Sequence, residues 1–286
     1  MPSSVVPASR FEFRPQPRLS EGLVVAVMAG AANGLVHLEA ALSRLGAGAE
    51  IAGHRHFFEE SFVVLSGEVL VNIGGRHTHL QEGDFGFVPV GVPHAWRNPG
   101  SEPAEWFRLR SPQPRSIGGG MGTFIAADTQ IPTAGDPVGD PNPTVPYVGH
   151  FADHHLPAPG PVFMRGYRGP NIDSASLWML IDDFIGAVHH NMFIVRFTPK
   201  ATTHPRGDHF HPFEETYYFL EGSAVAHLEE GDLEVNAGDF VYSSTNAMHG
   251  FTMTSEGPVR WIEVQAPAPT ASGAVIFPKD WESFDT

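Results

Sequence analysis

From Ser61 to Ile73 the chain reads Ser-Phe-Val-Val-Leu-Ser-Gly-Glu-Val-Leu-Val-Asn-Ile, a β-branched and aromatic run broken once at Ser66-Gly67. Thr216 to Leu228 has the same character and breaks at Glu221-Gly222. Apolar runs of this length, closed by glycine turns, predict short β-strands. Further turns stand at Gly74-Gly75, Glu82-Gly83-Asp84, Glu230-Gly231-Asp232 and Gly238-Asp239, spaced roughly 7–9 residues apart within each region. That rhythm suits a sandwich or barrel of short strands. The apolar run Leu23 to Ala32 predicts a first strand, whereas Ser174 to Ile185 reads equally as a helix or a buried strand.

The pattern occurs twice. His54-Arg55-His56-Phe57-Phe58-Glu59-Glu60, Gly67, Gly83-Asp84-Phe85 and His94 reappear as His209-Phe210-His211-Pro212-Phe213-Glu214-Glu215, Gly222, Gly238-Asp239-Phe240 and His249, at one offset of 155 residues. The same offset carries Trp106 onto Trp261, Pro112 onto Pro267 and Pro114 onto Pro269. Two copies are too few, and the period too long, for a solenoid. Two tandem domains of one fold are expected, 1–144 and 145–286. The Gly-, Pro- and Asp-rich stretch from Ser116 to Asn171 connects them, and Gly118-Gly119-Gly120 reads as a flexible link.

Composition narrows the function. Asp and Glu number 32 against 17 Lys and Arg, a net charge of −15, which argues against nucleic acid and anionic lipid as partners. Cysteine is absent, which excludes thiolate metal sites, thiol nucleophiles and disulfides. Leu23 to Ala32 is shorter than the roughly 18 apolar residues of a membrane span. Arg10, Arg14 and Arg18 precede it, but Glu12 and Glu21 interrupt them, so a cytoplasmic protein is expected rather than a signal peptide. Histidine, at 16 residues, is the abundant chemistry-bearing side chain.

His54-x-His56 and His209-x-His211 each put two imidazoles on one face of a strand. Glu60 and Glu215 follow four residues later, and His94 and His249 come 34 residues after the Glu in both copies. Three imidazoles and a carboxylate hold a divalent first-row metal and leave coordination positions open for chemistry. Fe, Mn, Ni, Cu and Co all tolerate such a set, up to one ion per domain.

These residues resemble the cupins, specifically a bicupin. The first cupin motif, G-x5-H-x-H-x3/4-E-x6-G, is matched by Gly48, His54, His56, Glu60 and Gly67, and the second, G-x5-P-x-G-x2-H-x3-N, by Gly83, Pro89, Gly91, His94 and Asn98. The second copy keeps all four polar positions but has Thr203, Ser244, Asn246 and Met253 where the motif has Gly, Pro, Gly and Asn. Asn246 tolerates the left-handed turn a glycine would take. The resemblance covers about 35–115 and 190–270. It implies an all-β chain of two double-stranded β-helix (jelly-roll) barrels, with metal in both.

Three functions follow. Phe58, Phe62, Val64 and Trp96 share strand parity with the ligands, and Tyr217 and Phe251 do so in the second copy. An aromatic pocket favours a metal-dependent dioxygenase similar to the quercetinase-like bicupins, in which Glu60 or Glu215 takes a proton and dioxygen is a co-substrate. Tyr217 could donate a hydrogen bond or proton there, or bond a backbone carbonyl. The three-residue gap between the second His and the Glu is shared with oxalate-decarboxylase-like cupins. That favours the alternative, a non-oxidative decarboxylase, isomerase or hydrolase acting on a small acid, with Arg55, Arg97, Arg108, Arg110 and Arg206 as candidate anion binders. A binding module without turnover comes last, because no ligand has been lost. Glu59 and Glu214 are expected to face away from the ligands, at the surface or holding a His or Arg. A small-molecule substrate is the expected partner, and a homodimer is compatible with the sequence.

Overall fold

The computed structural model describes residues 3–115, 122–139, 147–164, 167–168, 175–197, 208–269, 274–275 and 277. Gly118-Gly119-Gly120, the Thr144 boundary, Thr203, His204 and Arg206 lie outside the described residues. Among the described residues the helical pieces are three-residue 3-10 turns and all else regular is strand. The open reading at Ser174 to Ile185 resolves as a strand, Ala175–Ile181, because Asn191–Phe197 pairs with it antiparallel and supplies its hydrogen bonds.

Each half is a pair of facing sheets. In the first half Glu59–Ser66 pairs with Asp84–Val88 and Ala104–Ser111, and Ala104–Ser111 continues through Glu39–Leu45 to Ser20–Ala29. The opposing sheet holds Glu50–His56, His94–Arg97, Glu68–Ile73 and Arg76–Gln81. Leu23, Val25, Phe62, Val64, Trp96 and Trp106 fill the space between them. Trp96 and Trp106 stack with centroids 5.1 Å apart, and Phe62 meets Trp96 edge-on at 4.8 Å. The second half repeats this with Phe193, Tyr217, Phe219, Phe251 and Trp261 inside.

The outer faces of the two large sheets pack on each other. Val63, Phe85, Phe87, Phe107 and Leu109 from one half form one cluster with Met192, Ile194, Tyr218, Ile262 and Val264 from the other. Fully burying side chains of this size contributes about 1.5–3 kcal/mol each, so the halves are joined by a true core.

The halves also exchange edge strands. Ser4–Val6 pairs with Phe240–Ser243, and Val148–His150 pairs with Asp84–Val88. The segment preceding each half therefore closes the sheet of the other half and protects an edge that would otherwise be free to aggregate.

Glu59 and Glu214 make the second exchange, and here the structure corrects the surface placement. Both are buried. Glu59 accepts hydrogen bonds from the backbone N–H groups of Val188 (2.9 Å) and His189 (3.0 Å) and lies 3.2 Å from His190 Nδ1. Glu214 accepts from Val36 (2.6 Å), His37 (2.9 Å) and Leu38 (3.2 Å). A carboxylate can be buried only if its oxygens are satisfied, and each finds its donors in the opposite half. His190 shares this burial, with Nε2 2.6 Å from Ser61 Oγ.

Candidate metal centres

The strand Glu50–His56 carries His54 and His56, turns at Phe57-Phe58, and returns as Glu59–Ser66 with Glu60 near its start. His94 opens the strand His94–Arg97, hydrogen-bonded beside Glu50–His56, and pairs directly with His54. The turn before it is pinned where the Gly91 N–H donates to the His56 carbonyl, 2.9 Å away. Gly91 has φ +78°, and Asn246 takes the same role with φ +60° and a 2.7 Å bond to the His211 carbonyl. The glycine of the motif is thus replaced by the residue type that best tolerates the left-handed conformation.

His56, Glu60 and His94 place ligand atoms within 4.8 Å of one another, and His209, His211, Glu215 and His249 do the same in the second half. His54 stands beside the first group, its ring 4.0 Å from that of His94 and 6.3 Å from that of His56. Nδ1 of each first-half imidazole is taken by a backbone carbonyl: His54 by Ala52 (2.8 Å), His56 by Phe58 (2.6 Å), His94 by Val92 (3.1 Å). With Nδ1 carrying the proton, Nε2 presents its lone pair inward. Nε2 of His56 and of His94 are buried without a hydrogen-bond partner. Two converging orphaned lone pairs beside a carboxylate are what a divalent cation would satisfy, so these residues fit a metal.

Burial, more than any neighbour, lowers the pKa of His54 to about 3 and of His56 and His94 to about 4. Burial opposes ionisation of Glu60 as well. The adjacent Arg110, then Arg108 and the imidazoles, override it and hold the carboxyl well below the usual range. The three imidazoles accept protons in the unfolded chain below about pH 6.5 and in the folded chain only near pH 4 for His56 and His94 and near pH 3 for His54. Stability of the chelated protein should therefore fall as pH drops from 6.5 to 4, and the lost Glu60 stabilisation adds below that. Thermal melts in chelator at pH 6.5 and 4.5 check this, and equal melting temperatures would contradict it.

The surroundings of the two carboxylates differ in charge. Arg110 sits directly across from Glu60 on the neighbouring strand, its Nε 2.8 Å from Glu60 Oε2 and its guanidinium 5.0 Å from the Phe58 ring. Arg108 is buried two residues away, and both arginines lie 3.6 Å from Glu39. They line a cavity of about 250 Å³. Of the candidate arginines, Arg55 is exposed and Arg97 half-buried, paired at the surface with Asp128 (4.0 Å) and Glu50 (3.5 Å).

In the second half the residues at the positions of Arg108 and Arg110 are Glu263 and Gln265. Gln265 Nε2 donates to Glu215 Oε1 at 2.8 Å. Glu263 receives the Trp261 indole N–H at 2.9 Å, and burial, then the neighbouring Glu215, push its pKa well up. Glu215 itself is held low, because His211 and His249 outweigh its burial. Glu215 Oε2 lies 2.7 Å from His211 Nε2 and 3.2 Å from His249 Nε2, and it accepts a 2.5 Å bond from the Tyr217 hydroxyl. Burial, then Glu215 and Glu263, raise the phenol pKa, so Tyr217 stays a donor. This cavity is smaller, about 60 Å³. Sequence reasoning missed Glu263, Gln265 and Glu39. The 155-residue offset was the signal for the first two, since it aligns Arg108 with Glu263 and Arg110 with Gln265.

The cupin domain pattern matches residues 41–109 and again 193–265. The chain belongs to the cupin superfamily and is a bicupin. No protein with curated annotation matches the sequence significantly. Among solved structures, the bicupin is similar to oxalate decarboxylase from Bacillus subtilis at 19% identity, with a TM-score of 0.65, covering 100% of this chain and 82% of that one. It is also similar to the oxalate decarboxylase of Lactobacillus farciminis, solved with formate, at 18% identity and a TM-score of 0.66, covering 99% and 91%. At these identities the likeness is one of fold. Among the described residues, no helix of the bicupin is long and apolar enough to cross a membrane.

Proposed function

We propose that the bicupin is a metal-dependent enzyme whose N-terminal centre acts non-oxidatively on a small organic acid. The observation that carries this reading is the buried Arg108 and the half-buried Arg110, set against Glu60 and lining the larger of the two cavities. Two cations at a cavity wall recognise a carboxylate, and Arg does so in a fixed planar geometry.

His54, His56, Glu60 and His94 would hold the ion in the first half, and His209, His211, Glu215 and His249 in the second. A bound divalent transition metal would polarise a substrate oxygen and stabilise developing negative charge. Arg108 pairs with the substrate carboxylate. Arg110 holds Glu60 in place and ionised, so Glu60 has no proton to deliver and is left the role of acceptor. Phe58, stacked on His56 at 4.1 Å and lying under Arg110, shields the site from water.

The aromatic lining expected of a flavonol-type pocket does not support the N-terminal site, because Phe62, Trp96 and Trp106 are consumed in packing one another. A dioxygen-dependent reaction remains the second reading, and it is favoured by the second half, where Tyr217, Phe251 and Trp261 line the smaller cavity. The test is one assay in two atmospheres. Protein reconstituted separately with Mn(II), Fe(II), Co(II), Ni(II) or Cu(II) is incubated with a panel of small carboxylic acids under nitrogen and in air. Equal turnover under nitrogen is expected. Turnover that requires oxygen, with matching oxygen uptake, would replace this reading with the dioxygenase.

A further inference from the structure

The N-terminal cavity has two unlike ends. At one, the Arg108 side chain is buried, only 6% of the residue exposed, and its Nε has no hydrogen-bond partner. Its nearest carboxylate, Glu39, stands 3.6 Å away, too far for a hydrogen bond. Arg108 thus has a loose ion pair with Glu39 and one buried N–H donor left over, which suits it to take a carboxylate at the cavity wall. The rest of the wall is mainly apolar: Leu23 and Val25 are buried there, Val27 and Ile125 are exposed, and Gln16 and Arg18 stand among them as polar neighbours. Val27 is 53% exposed and Ile125 57%, so both are free to contact a ligand at the rim. Thr123 and Ile125 pair with His56 and His54, so the rim adjoins the metal-ligand strand. The volume of about 250 Å³ holds on the order of eight water-sized groups at ~30 Å³ each, more than a two-carbon diacid fills.

From this geometry we infer that the N-terminal site takes a carboxylic acid bearing an apolar arm, with the carboxylate on Arg108 and the arm along Leu23, Val25, Val27 and Ile125. The inference deepens the organic-acid reading above and rests on it. It sets the substrate apart from oxalate, which has no apolar arm to lay on Leu23, Val25, Val27 and Ile125.

Calorimetric titration of the metal-reconstituted full chain with acetate, butyrate, hexanoate, oxalate and hexan-1-ol tests it. Each methylene buried on an apolar wall tightens binding a few-fold. Hexanoate should therefore bind at least tenfold tighter than acetate or oxalate, and at least tenfold tighter than hexan-1-ol. Arg108→Gln should lose at least tenfold for hexanoate and leave hexan-1-ol unchanged. A flat series from acetate to hexanoate, or oxalate binding as tightly as hexanoate, overturns the inference, and neither result depends on a variant folding. The two proposals fail separately. Chain-length-dependent binding without consumption of any acid of the panel sinks the activity and keeps the ligand class. Consumption of acids without chain-length preference does the reverse.

Discussion

Glu60→Gln is expected to lower turnover of a small organic acid by roughly 10²–10⁴-fold, the range that a positioned general base contributes. The substitution removes three things at once. The side chain loses its charge, Arg110 loses the carboxylate it contacts at 2.8 Å, and the group converging with His56 and His94 loses its only anion. Metal content should fall along with activity, toward one ion per chain, because the second group does not depend on Glu60. Metal analysis beside steady-state kinetics separates the two halves. If Glu60→Gln keeps more than a tenth of the activity, Glu60 is not the base. If Glu215→Gln abolishes turnover while Glu60→Gln spares it, the chemistry belongs to the second half.

Glu59→Ala should cost about 2 kcal/mol of stability, since it removes the acceptor of two part-buried backbone N–H groups and the partner of the buried His190, a buried orphan being worth about 1–3 kcal/mol. The donors it serves, Val188 and His189, are 129 and 130 residues away in the other half. The loss should therefore appear as a weakened joint between halves, and Glu59→Gln, which keeps an acceptor oxygen, should recover part of it. Urea unfolding of the three proteins is the measurement. A shift below about 1 kcal/mol in Glu59→Ala would mean that water or local rearrangement replaces the carboxylate. Glu214→Ala should behave alike, because it leaves Val36, His37 and Leu38 without their acceptor.

Much of this protein was legible in the sequence for a simple reason. Strand periodicity places His54 with His56, and His209 with His211, on common faces, and a second copy of the same spacing turns a weak motif into a specific one. Asn246 could be read as a left-handed turn because its backbone preference is local, and the structure places it at φ +60°. The pairing of Phe62 with Trp96 and Trp106 was not legible, because parity shows which way a side chain faces but not whether a ring lines a pocket or fills a core.

The sequence by itself determined the strands, the doubled architecture and the two His/Glu constellations, all of which follow from short-range spacing and its repetition. The tertiary structure alone decided how the copies lock and how they differ. The exchange of Ser4–Val6 and Val148–His150, and the crossing of Glu59 and Glu214 into opposite halves, join residues as far apart as Ser4 and Tyr242 that no local pattern links. The charge that separates the two centres arises the same way. Arg110 meets Glu60, and Gln265 meets Glu215, across a strand pair 50 residues apart in both copies, so one carboxylate faces cations and the other a glutamine, an acid and a phenol. Strand pairing, which brings distant residues within 3 Å in a low-dielectric interior, sets that difference.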